Sequence, residues 1–198
     1  MIKIQGINQA KPYSIFIDRY NKALSKNQSS INAISISSLN KKHMTVTSRY
    51  VNLKYIINDE WIFFSNYDSP KASSFSSHNQ IAALLYWPSI NVQIRMMAKI
   101  KKTPNEYNQK YFFDRSEEKN ALAISSSQSK PIDSYNQVKE NYNKSLKNDD
   151  LKKCPEFWGG YSFTPYYFEF WEGHESRLNK REAYEKSDDS WKHLILQP

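Results

Sequence analysis

Apolar positions recur along the chain with two different periods, and the switches between them set the expected order of elements. In YSIFIDRYNKALSKN, residues 13–27, Phe16, Tyr20 and Leu24 fall four apart and share one helical face. A polar Asn-Gln-Ser-Ser linker leads into INAISIS, a strand-length run of short apolar residues and serines. MTVTSRYVNLKYII then alternates: Val46, Ser48, Tyr50, Asn52 and Lys54 fall on one side, and Thr47, Arg49, Val51, Leu53 and Tyr55 on the other. That pattern predicts one long strand, which Asn58-Asp59 turns into WIFFSN as a hairpin. SPKASSFSSHN reads as a short helix with Ser69 as its cap and Pro70 at its first position. Two strands, QIAALLYW and NVQIRMMAKIKK, come next.

Thr103-Pro104 opens a helix over PNEYNQKYFFDR, and a second short helix covers EEKNALAIS. The serine-rich SSSQSKPIDS is a loop before a polar helix at about residues 134–147, and strands are expected again at about 160–172 and 179–196. Six or more mostly antiparallel strands with inserted helices point to a mainly β fold of α+β type, a β-barrel with helical decorations rather than a βαβ sheet. The expected organisation is a single domain over 1–198 with a helical amino-terminal segment at about 1–30.

Composition narrows the function classes. The hydrophobic fraction is 39% but the aromatic fraction is 15%, so large rings must build much of the core. The formal charge of +8 is mostly scattered lysine, and no zinc signature, helix-turn-helix punctuation or RNP-like run accompanies it, which argues against nucleic acid as a partner. The one cysteine, Cys154, rules out an internal disulfide, and His43, His78, His174 and His193 have no ligand spacing, so no metal is expected. With neither a signal-like amino terminus nor a membrane-length apolar run, the expectation is a cytoplasmic protein with no membrane partner.

Arginine is sparse: Arg19, Arg49, Arg95, Arg115, Arg177 and Arg181 stand among 28 cationic residues. Such a chain keeps arginine where a fixed fork of donors suits phosphate or carboxylate. Arg49 and Lys54 are an odd number of residues apart, so on a straight strand they face opposite ways and share a ligand only if the strand bends. Gln93 and the pair Gln128-Ser129 add the neutral donors and acceptors that a heteroaromatic edge requires. The densest segment, FWGGYSFTPYYFEFWEGHESRLNKR, holds nine aromatic residues and three of the four glycines. Gly159 and Gly160 would let backbone approach closely in a tight core, and the aromatics other than Trp171 are expected to be packing.

SRYVNLK, WIFFSNYDSPKA, AALLYW, QIRM, KYFFDR, SSQS, PEFWGGYSFTP, FEFWEGHESRLNKR and the terminal W-K-x-L-x-L-x-P occur in the order, and at about the spacings, of the pyridoxamine 5′-phosphate oxidase family. The chain resembles that family from about residue 31 to 198. The resemblance implies an FMN-binding split β-barrel, a homodimer with sites at the subunit interface, and oxidation of pyridoxine or pyridoxamine 5′-phosphate to pyridoxal 5′-phosphate with molecular oxygen reduced to hydrogen peroxide. By position it implies FMN contacts at Arg49, Lys54, Phe64, Ser65, Lys71, Gln93, Gln128, Ser129, Trp171 and Arg181. It implies substrate contacts at Lys54, Tyr111, Arg115, Lys119, Arg177 and Asn179, with Arg177 and Asn179 over the reacting ring.

Four positions depart from the family pattern. Pro70 precedes Lys71 where an arginine is usual, Lys119 replaces a serine, Asn179 replaces a histidine, and Ile195 replaces an arginine near the end. Asparagine can hydrogen-bond a ring hydroxyl but cannot take up a proton as imidazole can. Two alternatives therefore stay open: a divergent flavin oxidoreductase acting on another anionic substrate, and a non-catalytic protein that binds FMN or pyridoxal phosphate.

Overall fold

The computed structural model describes residues 1–198, whose elements follow the chain in an order close to the expected one. Strand β1 (Lys3–Gln5), which the apolar pattern does not announce, precedes helix α1 (Lys11–Ser25). Strands β2 (Ala33–Asn40), β3 (Thr45–Asn52), β4 (Tyr55–Ile57) and β5 (Glu60–Asn66) lead to α2 (Pro70–Ser77), β6 (Gln80–Trp87) and β7 (Val92–Lys102). Helices α3 (Asn105–Phe113), α4 (Glu117–Ser125) and α5 (Tyr135–Asn148) then precede β8 (Trp158–Glu172), β9 (Lys180–Ser187) and β10 (Ser190–Ile195).

Three expectations need correction. The long strand over residues 44–57 is two, because the chain leaves β2 after Asn52 and turns to β5: Leu53 N donates to Asn32 O and Lys54 N to Ile62 O. The strand expected over 179–196 is a hairpin, turned at Asp188, which has a φ of 50°. Ser69 sits at the cap position of α2, yet its hydroxyl donates back to Asn66 O instead of accepting from the helix.

All ten strands join one sheet, in the order β1-β4-β5-β8-β7-β6-β2-β3, with the β9–β10 hairpin attached to β8. Every pairing is antiparallel except that of β1 with β4. Strand β8 is where the barrel splits. Its first part, Trp158–Phe163, pairs with β5, and its last part, Tyr167–Glu172, pairs with β9. Pro165 lies between the two, where a residue without an N–H cannot complete a ladder, and the register with β7 shifts there opposite Met97 and Ala98.

The inward residues of the strands enclose an aromatic core that α1 closes. Phe16 meets Trp61 edge-on at 4.5 Å between centroids and contacts Tyr20 and Trp87, while Tyr13 contacts Phe168 and Trp191. The glycines behave as expected: a Cβ on Gly159 would collide with the Tyr67 hydroxyl, and one on Gly160 with Thr103 Oγ1. No helix is long and apolar enough to cross a membrane.

Candidate active site

A cleft of about 610 Å³ opens where β3, β5, α2, α3 and α4 meet. Its walls bring together eight residues expected at the site: Lys54, Phe64, Ser65, Lys71, Tyr111, Arg115, Lys119 and Gln128. Lys54 follows the bend after Asn52, where the chain turns from β2 to β5, and it lines the cleft with Tyr50 and Asn52 while Arg49 does not.

The cleft has two cationic centres. In the first, Lys71 is 9% exposed, and its amine donates to Gln128 Oε1 at 2.6 Å, Ser65 Oγ at 3.0 Å and Ser69 Oγ at 3.1 Å. Gln128 Oε1 also accepts from Ser65 Oγ at 2.9 Å, which ties the α4–α5 loop to β5. Burial, followed by the charge of Arg49, pushes the Lys71 amine down to about 8. Arg49 stands behind this centre, outside the lining of the cleft, and donates to Ile36 O at 3.0 Å, Ser38 Oγ at 2.8 Å and Thr47 Oγ1.

In the second centre, Lys54 is held below the ordinary lysine value by burial and then by Lys119 and Arg115. Arg115, in the turn between α3 and α4, has its guanidinium 4.9 Å from the ring centre of Trp158 and donates to Asn120 Oδ1 at 3.3 Å. Burial lowers its pKa as well, against the opposing pull of Tyr111 and Cys154. Tyr111 lies parallel to Phe64 at 3.6 Å between centroids, and Phe64 lies parallel to Trp158 at 5.3 Å. The second centre therefore borders flat aromatic faces.

No carboxylate lines the cleft, and none of Lys54, Lys71, Arg115 and Lys119 forms an ion pair. Buried or half-buried cations without acidic partners are held at a desolvation penalty, so an anion entering the cleft would relieve it.

The other expected residues lie elsewhere on the chain. Gln93, Trp171 and Arg181 are direct cross-strand neighbours on β7, β8 and β9, forming one row on one face of the sheet. Arg181 donates through Nε and Nη2 to Glu169 Oε1, at 3.0 and 2.8 Å. Arg177 is exposed in the turn before β9, with a φ of 66°. Asn179 braces that turn, since its Oδ1 accepts from His174 N at 3.1 Å, leaving the amide NH2 without a protein acceptor. Ser129 lines a separate cavity with Lys130 and Ile132.

Two residues outside the expected set hold Arg115: Trp158, a packing aromatic by its sequence pattern, lines the cleft beneath it, and Asn120 lies behind the lining. Asn120 is fully buried, holds Arg115 and donates to Phe112 O and Leu151 O, each at 2.8 Å. Nothing in the local pattern distinguishes Asn120 from a surface asparagine.

Comparison with known proteins gives this geometry a family. Over 194 residues the chain is 34% identical to pyridoxine/pyridoxamine 5′-phosphate oxidase 1 of Hydrogenovibrio crunogenus, covering 96% of this chain and 89% of the relative. The chain belongs to the pyridoxine/pyridoxamine 5′-phosphate oxidase family. A further member, from Christiangramia forsetii, is 37% identical over 191 residues, with coverage of 94% and 88%. Residues 158–198 match the family model described as the pyridoxine 5′-phosphate oxidase C-terminal dimerisation region, which here spans β8 to β10 and the Trp171–Arg181 segment.

Among solved structures, PhzG from Burkholderia lata in complex with tetrahydrophenazine-1-carboxylic acid superposes with a TM-score of 0.89 at 23% identity, covering 96% of this chain and 93% of PhzG. A pyridoxamine 5′-phosphate oxidase-related, FMN-binding protein from Nostoc punctiforme gives 0.78 at 12% identity, covering 96% and 100%. Both carry the split-barrel fold of the family, which the present chain shares.

Proposed function

We propose that this protein is a cytoplasmic, homodimeric oxidase that uses FMN to convert pyridoxine or pyridoxamine 5′-phosphate to pyridoxal 5′-phosphate, with oxygen reduced to hydrogen peroxide. The observation that carries this reading is the acid-free cleft with two separate cationic centres beside stacked aromatic faces. Two phosphorylated, flat molecules match that donor set: one phosphate for the Lys71 centre and one for the Lys54–Arg115–Lys119 centre.

The residues fit the cofactor. Lys71, Ser65 and Gln128, backed by Arg49, would hold the FMN phosphate, and Gln93, Trp171 and Arg181 would meet the ring. The chemistry FMN supplies when bound is a two-electron oxidation of the substrate carbon and the return of those electrons to oxygen. The protein's part is placement. Lys54, Arg115 and Lys119 grip the substrate phosphate, Tyr111 borders it, and Arg177 and the free amide of Asn179 orient the ring.

A second copy would complete the site. The row Gln93–Trp171–Arg181 continues to Tyr86 on β6, and the adjacent row runs Glu169–Arg95–Leu84–Ser35–Tyr50. This sheet face exposes Tyr50 (74%) and Tyr86 (53%), ends at β3 beside the cleft, and includes part of the segment matched by the dimerisation-region model. A partner laid on it would carry its own ring-side row to the first protomer's cleft.

Asn179 and Lys119 favour a second reading, a flavin oxidoreductase of the same fold that acts on another anionic substrate. The deciding experiment measures peroxide release from each vitamer with added FMN, for wild type, Asn179→His and Asn179→His/Lys119→Ser. Robust wild-type turnover is expected. Activity found only in the double variant would overturn the first reading in favour of the second.

A further inference from the structure

Glu169 is the one carboxylate among the buried residues, at 3% exposure, and the cleft chemistry above does not use it. Its oxygens are saturated. Oε1 accepts from Arg181 Nε at 3.0 Å and Nη2 at 2.8 Å, while Oε2 accepts from Arg95 Nη2 and from Tyr167 Oη at 3.1 Å. Burial alone would push this carboxyl up, but the hydrogen bond from Arg181 and the charge of Arg95 outweigh it and hold the group below the ordinary carboxylate range. Glu169 is therefore ionised wherever the protein is folded near neutrality.

Two consequences follow for Arg181. Its fork is fixed: Nε and Nη2 are held by Glu169, and Nη1 donates to Gln197 O at 2.9 Å. Its charge is also offset in part, since the single carboxylate it grips is shared with the second arginine, Arg95, whose half-exposed side chain stands on the adjacent row. This is the reverse of the cleft, where no cation has an acidic partner.

We propose that Glu169 is a positioning residue which makes Arg181 a fixed, carboxylate-paired donor for the uncharged edge of a flavin ring, leaving phosphate recognition to the cleft. The inference rests on the reading that the protein binds a flavin. It differs from a phosphate-clamp role because an arginine paired in this way contributes directed hydrogen bonds more than net charge.

The test compares binding of FMN with binding of riboflavin, which lacks the phosphate, to ligand-free protein by quenching of flavin fluorescence. Glu169→Gln is expected to weaken both flavins by the same factor, on the order of tenfold, so that the ratio of the two affinities stays at its wild-type value. Arg181→Gln should do the same, and Glu169→Gln/Arg181→Gln should lose no more than Arg181→Gln alone, since Glu169 acts through Arg181. A loss confined to FMN would make Arg181 a phosphate ligand and overturn the inference, as would unchanged binding of both flavins. So would a further loss in the double variant, the mark of a general structural role.

If Glu169→Gln does not fold, Glu169→Asp keeps the charge but shortens its reach, and the same parallel weakening is expected of it. Wild type that binds neither flavin would remove the functional reading and this inference with it. Wild type that binds FMN tightly, with variants indistinguishable from it, would remove the inference alone.

Discussion

Lys71 makes the electrostatic argument quantitative. Its amine lies at about 8 in the folded protein, against roughly 10.4 for a free lysine, and at about 1.4 kcal/mol for each tenfold in proton affinity the difference amounts to ~3 kcal/mol. The sign follows from which state holds the proton more tightly. The unfolded chain does, so the penalty is fully present below pH 8, shrinks as pH rises from 8 towards the unfolded value, and vanishes above it. Between pH 7 and pH 9.5 the ligand-free protein should recover about 2 kcal/mol from this group.

The assay is urea unfolding at pH 7, 8, 9 and 9.5 for wild type and Lys71→Met, a variant of similar length without the charge. The difference between the two isolates Lys71 from the other groups that titrate. At pH 7, Lys71→Met should be the more stable protein when no anion is present, because a buried charge with only neutral partners has been removed. Its advantage should fall with rising pH, and its FMN affinity should be far below that of wild type. A stability difference that does not change from pH 7 to 9.5 would mean that Lys71 is not a penalised buried cation.

Trp158→Leu removes the aromatic face beneath Arg115, an interaction of ~0.5–2 kcal/mol, and is expected to raise KM for the phosphorylated substrate with a smaller effect on kcat; steady-state peroxide release checks it. Gly160→Ala drives a Cβ against Thr103 Oγ1 and should cost about 1–3 kcal/mol, read from the urea midpoint. Raising the ionic strength should weaken substrate binding more than FMN binding, since exposed Lys119 is screened over a Debye length of ~8 Å while Lys71 is buried; dissociation constants at two salt concentrations decide it.

The apolar pattern locates most elements because each period is local, and it fails where a tertiary contact overrides a continuing period. Leu53, Lys54 and Tyr55 keep the alternation of β3 without a glycine or proline to mark a break, yet Lys54 N pairs with Ile62 O, and the strand becomes two. The expected strand over 179–196 likewise runs through a turn, although here Ser187-Asp188-Asp189-Ser190 has turn composition that marks the break. In the site, residue type alone could not separate Trp158, which lines the cleft, from Trp61, which is buried in the core. Sparse arginine was a partial guide: Arg115 faces the cleft unpaired, but Arg19, Arg95 and Arg181 are paired with carboxylates.

What decides the chemistry of each cation is the placement of acids, which no count of charges reveals. The formal charge of +8 is spread along the sequence with little pattern. Folding sorts it. Where Lys54, Lys71, Arg115 and Lys119 converge, every nearby carboxylate has been kept out of the lining, and the site has an unmet demand for negative charge. Where Arg95 and Arg181 stand, one buried glutamate bonds both and offsets part of their charge, and fixed geometry becomes the larger asset of Arg181. A phosphate suits the first environment and a neutral heterocycle the second, and a molecule that carries both, such as FMN, can be held only by a surface that keeps the two apart.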